Sequence, residues 1–349
     1  MDKGVITKII EAANHAPSGG NSQPWKFVVK HDTIQVVMLP EKEHPVLNFR
    51  NRGTYVAHGA LLENINVASR SFGYEAAFNL FPEPHVSAKV TFQPLAGGDN
   101  NADLYNIISE RHSNRKPYKI DLLPDNTKKF IFHEAEKFPQ CRLSIVEREF
   151  IRSVAESTAL DIRINLENKY LHELFFKEIL WKEEDQHQRP GLYIKTMEAV
   201  PPKSSVMWLL GNWKAAQLFS KMKLTQKITE ENAKTLASAG VCGAIVVVND
   251  DLNFIHAGRL IENIWLRATK SGLSFQLVAG FVFLWQQAHF GEKHLFSGAE
   301  SKEISEAYEH LRDVFGVKDG EIIAATFRIG EASPPLAVSY KRPPEIEWV

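Results

Sequence analysis

Cysteine is scarce. Cys141 and Cys242 are the only two in 349 residues, and neither has a neighbour at metal-ligand or redox spacing. That argues against a disulfide framework. Charge of one sign is lacking too: 41 basic against 42 acidic residues leave a net −1. Nothing therefore draws the molecule as a whole toward nucleic acid or an anionic membrane. The longest apolar run, Leu273 to Trp285, contains Ser274 and Gln276 and is too short to span a bilayer. The amino terminus, MDKGVITKII, carries an acid and reads as an amphipathic helix start, unlike a secretory signal. HExxH, GxGxxG, the Walker loop and GxSxG are all missing, so zincin, Rossmann, phosphoryl-transfer and serine-hydrolase readings lose their motifs. There are 13 histidines, yet His289 and His294 sit five apart without a carboxylate triad, which argues against a metal site. The expectation is a soluble cytoplasmic protein from a reducing compartment, with neither nucleic-acid nor membrane partners.

What is present is a repeat. GALLENI at Gly59 to Ile65 returns as GRLIENI at Gly258 to Ile264, and a second glycine follows each copy, Gly73 and Gly272, at the same offset of 199. One core helix is written twice, so the chain reads as two related lobes. The stretches with chemical character occur once each, which suggests a pseudo-dimer with one working site.

Around the repeat, apolar spacing predicts a helix through Val5, Ile6, Ile9, Ile10 and Ala13, then strands at Trp25 to Val29 and Ile34 to Met38. A long helix from Arg52 to Phe72 ends at Gly73, well placed as a left-handed cap. Strands near Ala76 to Leu80 and Val86 to Phe92 close a first lobe, 1–96, and the GGDNN run gives a linker at 97–102. The second lobe, 103–349, opens with a helix near Ala102 to Glu110. It continues with a helix from Pro124 to Phe138 and a strand near Arg142 to Val146 that echoes Trp25 to Val29. A helical, aromatic insertion at about 147–238 separates that strand from Ala244 to Val248, the repeated helix Phe254 to Ser271, a segment Phe275 to Leu284, a helix Lys302 to Phe315 and a strand Ile322 to Ile329. A proline-rich basic tail, Tyr340 to Pro344, follows. Interleaved helices and strands favour a layered α/β-type arrangement.

Two segments have chemical character. In APSGGNSQPW, Ala16 to Trp25, the residues Ser18, Gly19 and Gly20 leave backbone N–H groups free for a planar ligand. Asn21 and Gln23 add amides, and Pro24 and Trp25 fix the entry to a strand. A plain polar loop explains the same residues about as well. In Arg111-His112-Ser113-Asn114-Arg115, two guanidinium forks and a hydroxyl suit a phosphate. In isolation, a solvated basic turn is the simpler account.

Together these segments resemble the FMN-dependent nitroreductase family, whose dimers build each flavin site from a basic R-[RH]-S-x-[RK] stretch of one subunit and a PSxxNxQPW loop of the other. The repeated GxxxEN helix, the Gly272-Leu273 helix exit, the RIG at Arg328 to Gly330 and the SYKRP ending extend the likeness. It is closest to the single-chain branch with one flavin site. The resemblance implies an α+β fold, a nitroreductase-like three-layer αβα sandwich whose two fused lobes form an intramolecular pseudo-dimer. It implies FMN as cofactor and NAD(P)H as reductant, with a small-molecule electron acceptor such as a nitroaromatic or quinone, and a monomer. Flavin N5 would carry the chemistry, so no catalytic side chain is expected.

By the same resemblance, Arg111 and Ser113 would hold the FMN phosphate with help from Lys341 or Arg342, and Arg115 would approach the pyrimidine edge. Pro17, Ser18, Gly19, Asn21 and Gln23 would meet the ring from the other lobe, while His112 would stack or use its backbone. Family members commonly carry P-x-E-G after the Gly-Leu exit. Here Ala279 stands where the acid would be, and Gly280 would still offer its N–H near N5. That departure and the insertion, read as a lid, leave an alternative open: an FMN storage protein with little turnover.

Overall fold

A computed structural model describes residues 1–96, 102–121, 123, 129, 131 and 133–349. The expected linker therefore lies almost wholly outside the described residues, as does much of the expected helix from Pro124 to Phe138. After helix α1 (Lys3–Ala13), strand β1 (Trp25–Lys30) buries Trp25, Phe27 and Val29, and β2 (Thr33–Met38) buries Ile34, Val36 and Met38. This alternation is the period-two pattern of a strand with one face on a core. Helix α2 (Arg52–Ser71), strands β3 (Tyr74–Glu83) and β4 (Val86–Pro94), and the short α3 (Tyr105–Glu110) follow. Strand β5 (Cys141–Ile145) precedes the insertion, which runs from α4 (Ile151–Thr158) to α10 (Leu224–Ala237).

The two lobes share one plan. The first sheet has the order β11-β1-β2-β4-β3 and the second β5-β8-β10-β9. Here β6 (Ile179–Leu180) and β7 (Leu192–Tyr193) pair with each other inside the insertion, β8 is Val241–Val248, β9 Ser274–Val278, β10 Glu321–Gly330 and β11 Ile346–Trp348. The strand set β1-β2-β4-β3 maps onto β5-β8-β10-β9, every pairing is antiparallel, and the repeated helix follows the second strand in each. The first sheet is completed by β11, which pairs parallel to β1 with Phe27 opposite Ile346. The chain's last residues thus lie in the first lobe. Sequence reading missed this strand and merged two elements: Phe275 to Leu284 divides into β9 and a helix, α12 (Gly280–Phe290).

The lobes meet through α2 and the second copy of the repeated helix, α11 (Asp251–Lys270). A Cβ on Gly59 would sit 2.1 Å from the Ile255 carbonyl oxygen, and one on Gly258 would sit 2.0 Å from that of Val56. The first residue of each GxxxEN copy is therefore glycine because two backbones touch there. The same geometry crosses the acid–amide pairs. Asn263 donates to Glu63 at 3.2 Å, and Asn64 lies beside Glu262, whose pKa burial raises against the opposing pull of Arg111 and Asn64. Both helices exit through left-handed glycines, Gly73 at φ +81° and Gly272 at φ +73°. At the second exit, Leu273 N–H bonds Ala268 O and Gly272 N–H bonds Thr269 O, a Schellman closure.

Gly59→Ala or Gly258→Ala should lower stability by about 2–3 kcal/mol, because a methyl must push backbone from backbone. Gly298→Ala, whose Cβ meets nothing within 4 Å, is the matched control and should be near neutral in the same urea titration. Equal midpoints for all three would show that the helices do not need their glycines.

Candidate functional site

The loop between α1 and β1, the stretch after α3 and the tail before β11 converge on one cavity at the seam. Pro17, Ser18 and Asn21 line it from the first lobe, Arg111, His112, Ser113 and Arg115 from the second, and Lys341 from the tail. Local order explains how the basic stretch is held. Ser113 makes a parallel bridge to Phe275, and the buried Asn114 donates to Ser274 Oγ at 3.0 Å and to the Ser333 carbonyl at 2.9 Å. The unassigned position of the motif is thus its anchor.

Arg111 has a second task. Its Nε lies 2.9 Å from Glu262, its Nη2 donates to the His15 carbonyl, and its guanidinium sits 4.4 Å above the Trp265 ring. Glu262 belongs to the repeated ENI motif, which by recurrence looks like pure scaffold. The two copies differ one turn earlier. Glu63 is met by Arg259 from α11, at 3.0 Å, whereas the residue aligned with Arg259 in the first copy is Ala60. Glu262 takes Arg111 instead.

The cavity's electrostatics favour an anion. Burial, and then the Arg111 charge, push the Lys341 ammonium down to about 7. His15 is lowered by burial, Lys341 and Arg111, and Arg111 itself is lowered by burial against the opposing pull of Glu262. Burial raises Glu262 to about 7. Several cations crowd a poorly solvated space with one partly protonated acid among them. A phosphate among Arg111, Ser113 and Lys341 would relieve that strain.

The ring end is tighter. Leu192 and Thr196 of the insertion and Ala337 to Ser339 of the tail close the cavity to about 80 Å³, well below the few hundred Å³ usual for a bound cofactor. Arg115 donates to the Thr196 carbonyl at 2.9 Å, and Gln186 Oε1 accepts from Tyr340 N–H at 3.1 Å. Insertion and tail thus form one cover. The residues fit the phosphate of a flavin nucleotide as they stand, and its ring only if this cover moves outward.

Six expected residues do not line the cavity. Gly19 and Gly20 face carboxylates: their Cβ positions are 3.0 Å from Glu43 and 3.3 Å from Glu178. Burial pushes these acids up to about 8 and about 7. Gln23 is a staple, donating to Asn14 Oδ1 and the Arg342 carbonyl, both at 3.0 Å. Arg342 donates to Ser22 O at 2.8 Å, so its guanidinium holds the loop rather than entering the cavity. Ala279 caps α12, and a Cβ on Gly280 would lie 2.5 Å from Asp161 Oδ2, so an insertion carboxyl covers that glycine. Burial raises Asp161 to about 7. Asp161, Leu192 and Thr196 carry no motif and could not be found from the sequence.

A larger cavity, about 330 Å³, lies at the mirror position, with Glu63, Arg259 and Pro139-Gln140 before β5 among its lining residues. Arg70, Lys137 and Arg267 line it as well, so it too is cationic, but no serine hydroxyl stands among its lining residues as Ser18 and Ser113 do in the smaller one.

Fold and site together define a two-lobed, pseudo-symmetric α+β protein with a cationic seam cavity that joins the Pro17 loop to the Arg111 to Arg115 stretch. The nitroreductase family model matches residues 1–82, most of the first lobe. An uncharacterized protein of Mycobacterium tuberculosis is 25% identical over 352 residues, covering 96% of this chain and 47% of the relative. A putative NAD(P)H nitroreductase of the same organism is 27% identical over 127 residues, 35% of this chain and 37% of the relative. The chain thus spans about half, or less, of the length of these relatives. A crystal structure of a nitroreductase with bound FMN from Desulfitobacterium hafniense aligns with 68% of this chain and 95% of its own, at 13% identity and a TM-score of 0.40. That likeness is too distant to place a ligand.

Linkage gives a test of the cationic cluster. Lys341 falls from 10.5 in the unfolded chain to about 7 in the folded one. The unfolded state therefore binds more protons between those values, and stability should rise with pH across that window. Glu262, raised from 4.5 to about 7, works oppositely below it, so stability should dip near neutrality. Lys341→Met should flatten the rise between pH 7 and pH 9 in urea denaturation. A wild-type-to-variant difference that does not change with pH would contradict the depressed ammonium.

Proposed function

We propose that the chain is an FMN-dependent NAD(P)H oxidoreductase acting on a small electrophilic acceptor. The observation that carries this reading is the convergence of Pro17, Ser18 and Asn21 with Arg111, Ser113, Arg115 and Lys341 on one cavity. When bound, FMN supplies hydride acceptance and donation at N5. The protein's part is binding, orientation and exclusion of water. Ser113 and Lys341 take the phosphate, and Glu262 holds Arg111 in place behind it. Arg115 sets a fixed cation where the reduced pyrimidine would carry charge. Asn21 is oriented by the tail, since its Nδ2 donates to the Tyr340 carbonyl at 2.8 Å and its Oδ1 accepts from Lys341 at 2.9 Å.

A second reading, FMN sequestration, is favoured by the cover: Thr196 is already bonded to Arg115, and Leu336 N–H is bonded to Glu198 at 3.0 Å. Anaerobic NADPH separates the two. Bleaching of the flavin absorbance within seconds supports the oxidoreductase, and flavin that stays oxidised supports storage. Lys341→Met should weaken FMN binding by about 1.5–3 kcal/mol, the value of a lost hydrogen bond between charged groups. Unchanged affinity by fluorescence titration would remove Lys341 from the phosphate site.

A further inference from the structure

The insertion carries a surface that neither the cavity nor its cover accounts for. Between Glu198 and Glu230 the chain has five lysines, Lys203, Lys214, Lys221, Lys223 and Lys227, and no acidic residue. Two helices stand in this stretch, α8 (Lys203–Leu210) and α9 (Trp213–Lys221), joined by Gly211 and Asn212. Their inner side is ordinary core: Leu210 and Ala216 are buried with Leu166, and Trp213 and Phe219 pack against them. The outer side is apolar as well. Trp208 is 70% exposed, Met222 60% and Leu218 56%, and Val206 and Leu209 are also exposed.

Helical spacing puts the charges beside these apolar tips. Lys214 and Met222 are each four residues from Leu218 and Lys221 is three, so all four share one outward face. Lys214, Lys221, Lys223 and Lys227 are exposed and in no ion pair among the described residues. Beside α8, Trp208 also lines an apolar groove with Trp181, Ile194 and Val200. Large apolar side chains are seldom left bare at this density without a partner.

We propose that this helical hairpin is a docking surface for an anionic lipid bilayer, its apolar tips entering the headgroup boundary while the lysines meet the lipid charge. Charge decides the occupant. A second copy paired about a twofold axis would bring the same unpaired lysines together, whereas an anionic lipid surface neutralises them. The whole-molecule charge of −1 hides the feature, because the lysines are clustered rather than numerous. No described helix is long and apolar enough to cross a membrane, so contact would be confined to the surface.

Sedimentation of the full chain with vesicles tests this. The chain should bind phosphatidylcholine vesicles containing one-third phosphatidylglycerol, fail to bind pure phosphatidylcholine, and be released at roughly 0.5 M salt as screening shortens its reach. Binding should blue-shift tryptophan emission, and Trp208→Phe should lose that shift. A Lys214→Glu, Lys221→Glu, Lys223→Glu variant should partition at least about tenfold less. These side chains are exposed, and thermal melting of the variants checks that the fold is intact. Absence of binding to anionic vesicles would overturn the proposal, as would binding indifferent to the charge reversal. A dimer in sedimentation velocity that Trp208→Phe dissolves, without vesicle binding, would assign the surface to a second copy instead.

Discussion

Backbone meets backbone where Gly59 of α2 faces Gly258 of α11, and a methyl on either would lie about 2 Å from a carbonyl oxygen of the other helix. That approach fixes the register between lobes, and the register fixes which side chains cross the seam. Glu63 reaches Asn263 and Arg259, while Glu262 reaches Arg111 above Trp265. A buried acid without a cation would be costly at either position. The helix contact therefore creates two demands for positive charge, one at each end of the pseudo-twofold.

The demands are met differently, and the asymmetry separates the two ends. At the Glu63 end the cation comes from the facing helix. At the Glu262 end Ala60 leaves no such cation, and the basic stretch after α3 supplies Arg111 with Ser113 and Arg115 beside it. The tail then crosses to the first sheet as β11 and brings Lys341 to the same place. The surplus of charge on this side makes the cavity a collector of anions; the mirror cavity is cationic too, through Arg70, Lys137, Arg259 and Arg267, but has no serine hydroxyl among its lining residues to match Ser18 and Ser113. The insertion adds a cover to one cavity only, through Thr196 on Arg115 and Gln186 on Tyr340.

Local pattern reveals what is locally determined. The duplicated helix, its glycine exits and the alternating strands are legible because period and cap chemistry reside in a few adjacent residues. The apolar run from Phe275 to Leu284 is not, since it is apolar on every face and gives no contrast to mark the change from β9 to α12. Strand β11 is three residues long and exists through its pairing with β1, far away in sequence. The same holds in the site. The basic stretch and the Pro17 loop suggest a shared ligand through their residue types. That Gly19 and Gly20 turn to Glu43 and Glu178, or that Asp161 covers Gly280, depends on elements over a hundred residues apart in two of these three contacts. Arg111 is the instructive case: its chemistry is plain from the sequence, but the acid it meets is chosen by the seam.

The central claim is that duplication produced two cavities and that only the one holding Arg111, Ser113 and Lys341 takes the cofactor. Native mass spectrometry of the 39.5 kDa chain in excess FMN measures this directly. The account predicts one flavin mononucleotide per chain, lost when Ser113 and Lys341 are replaced together and retained when Arg259 is. Two flavins per chain, or one that depends on Arg259, would contradict it.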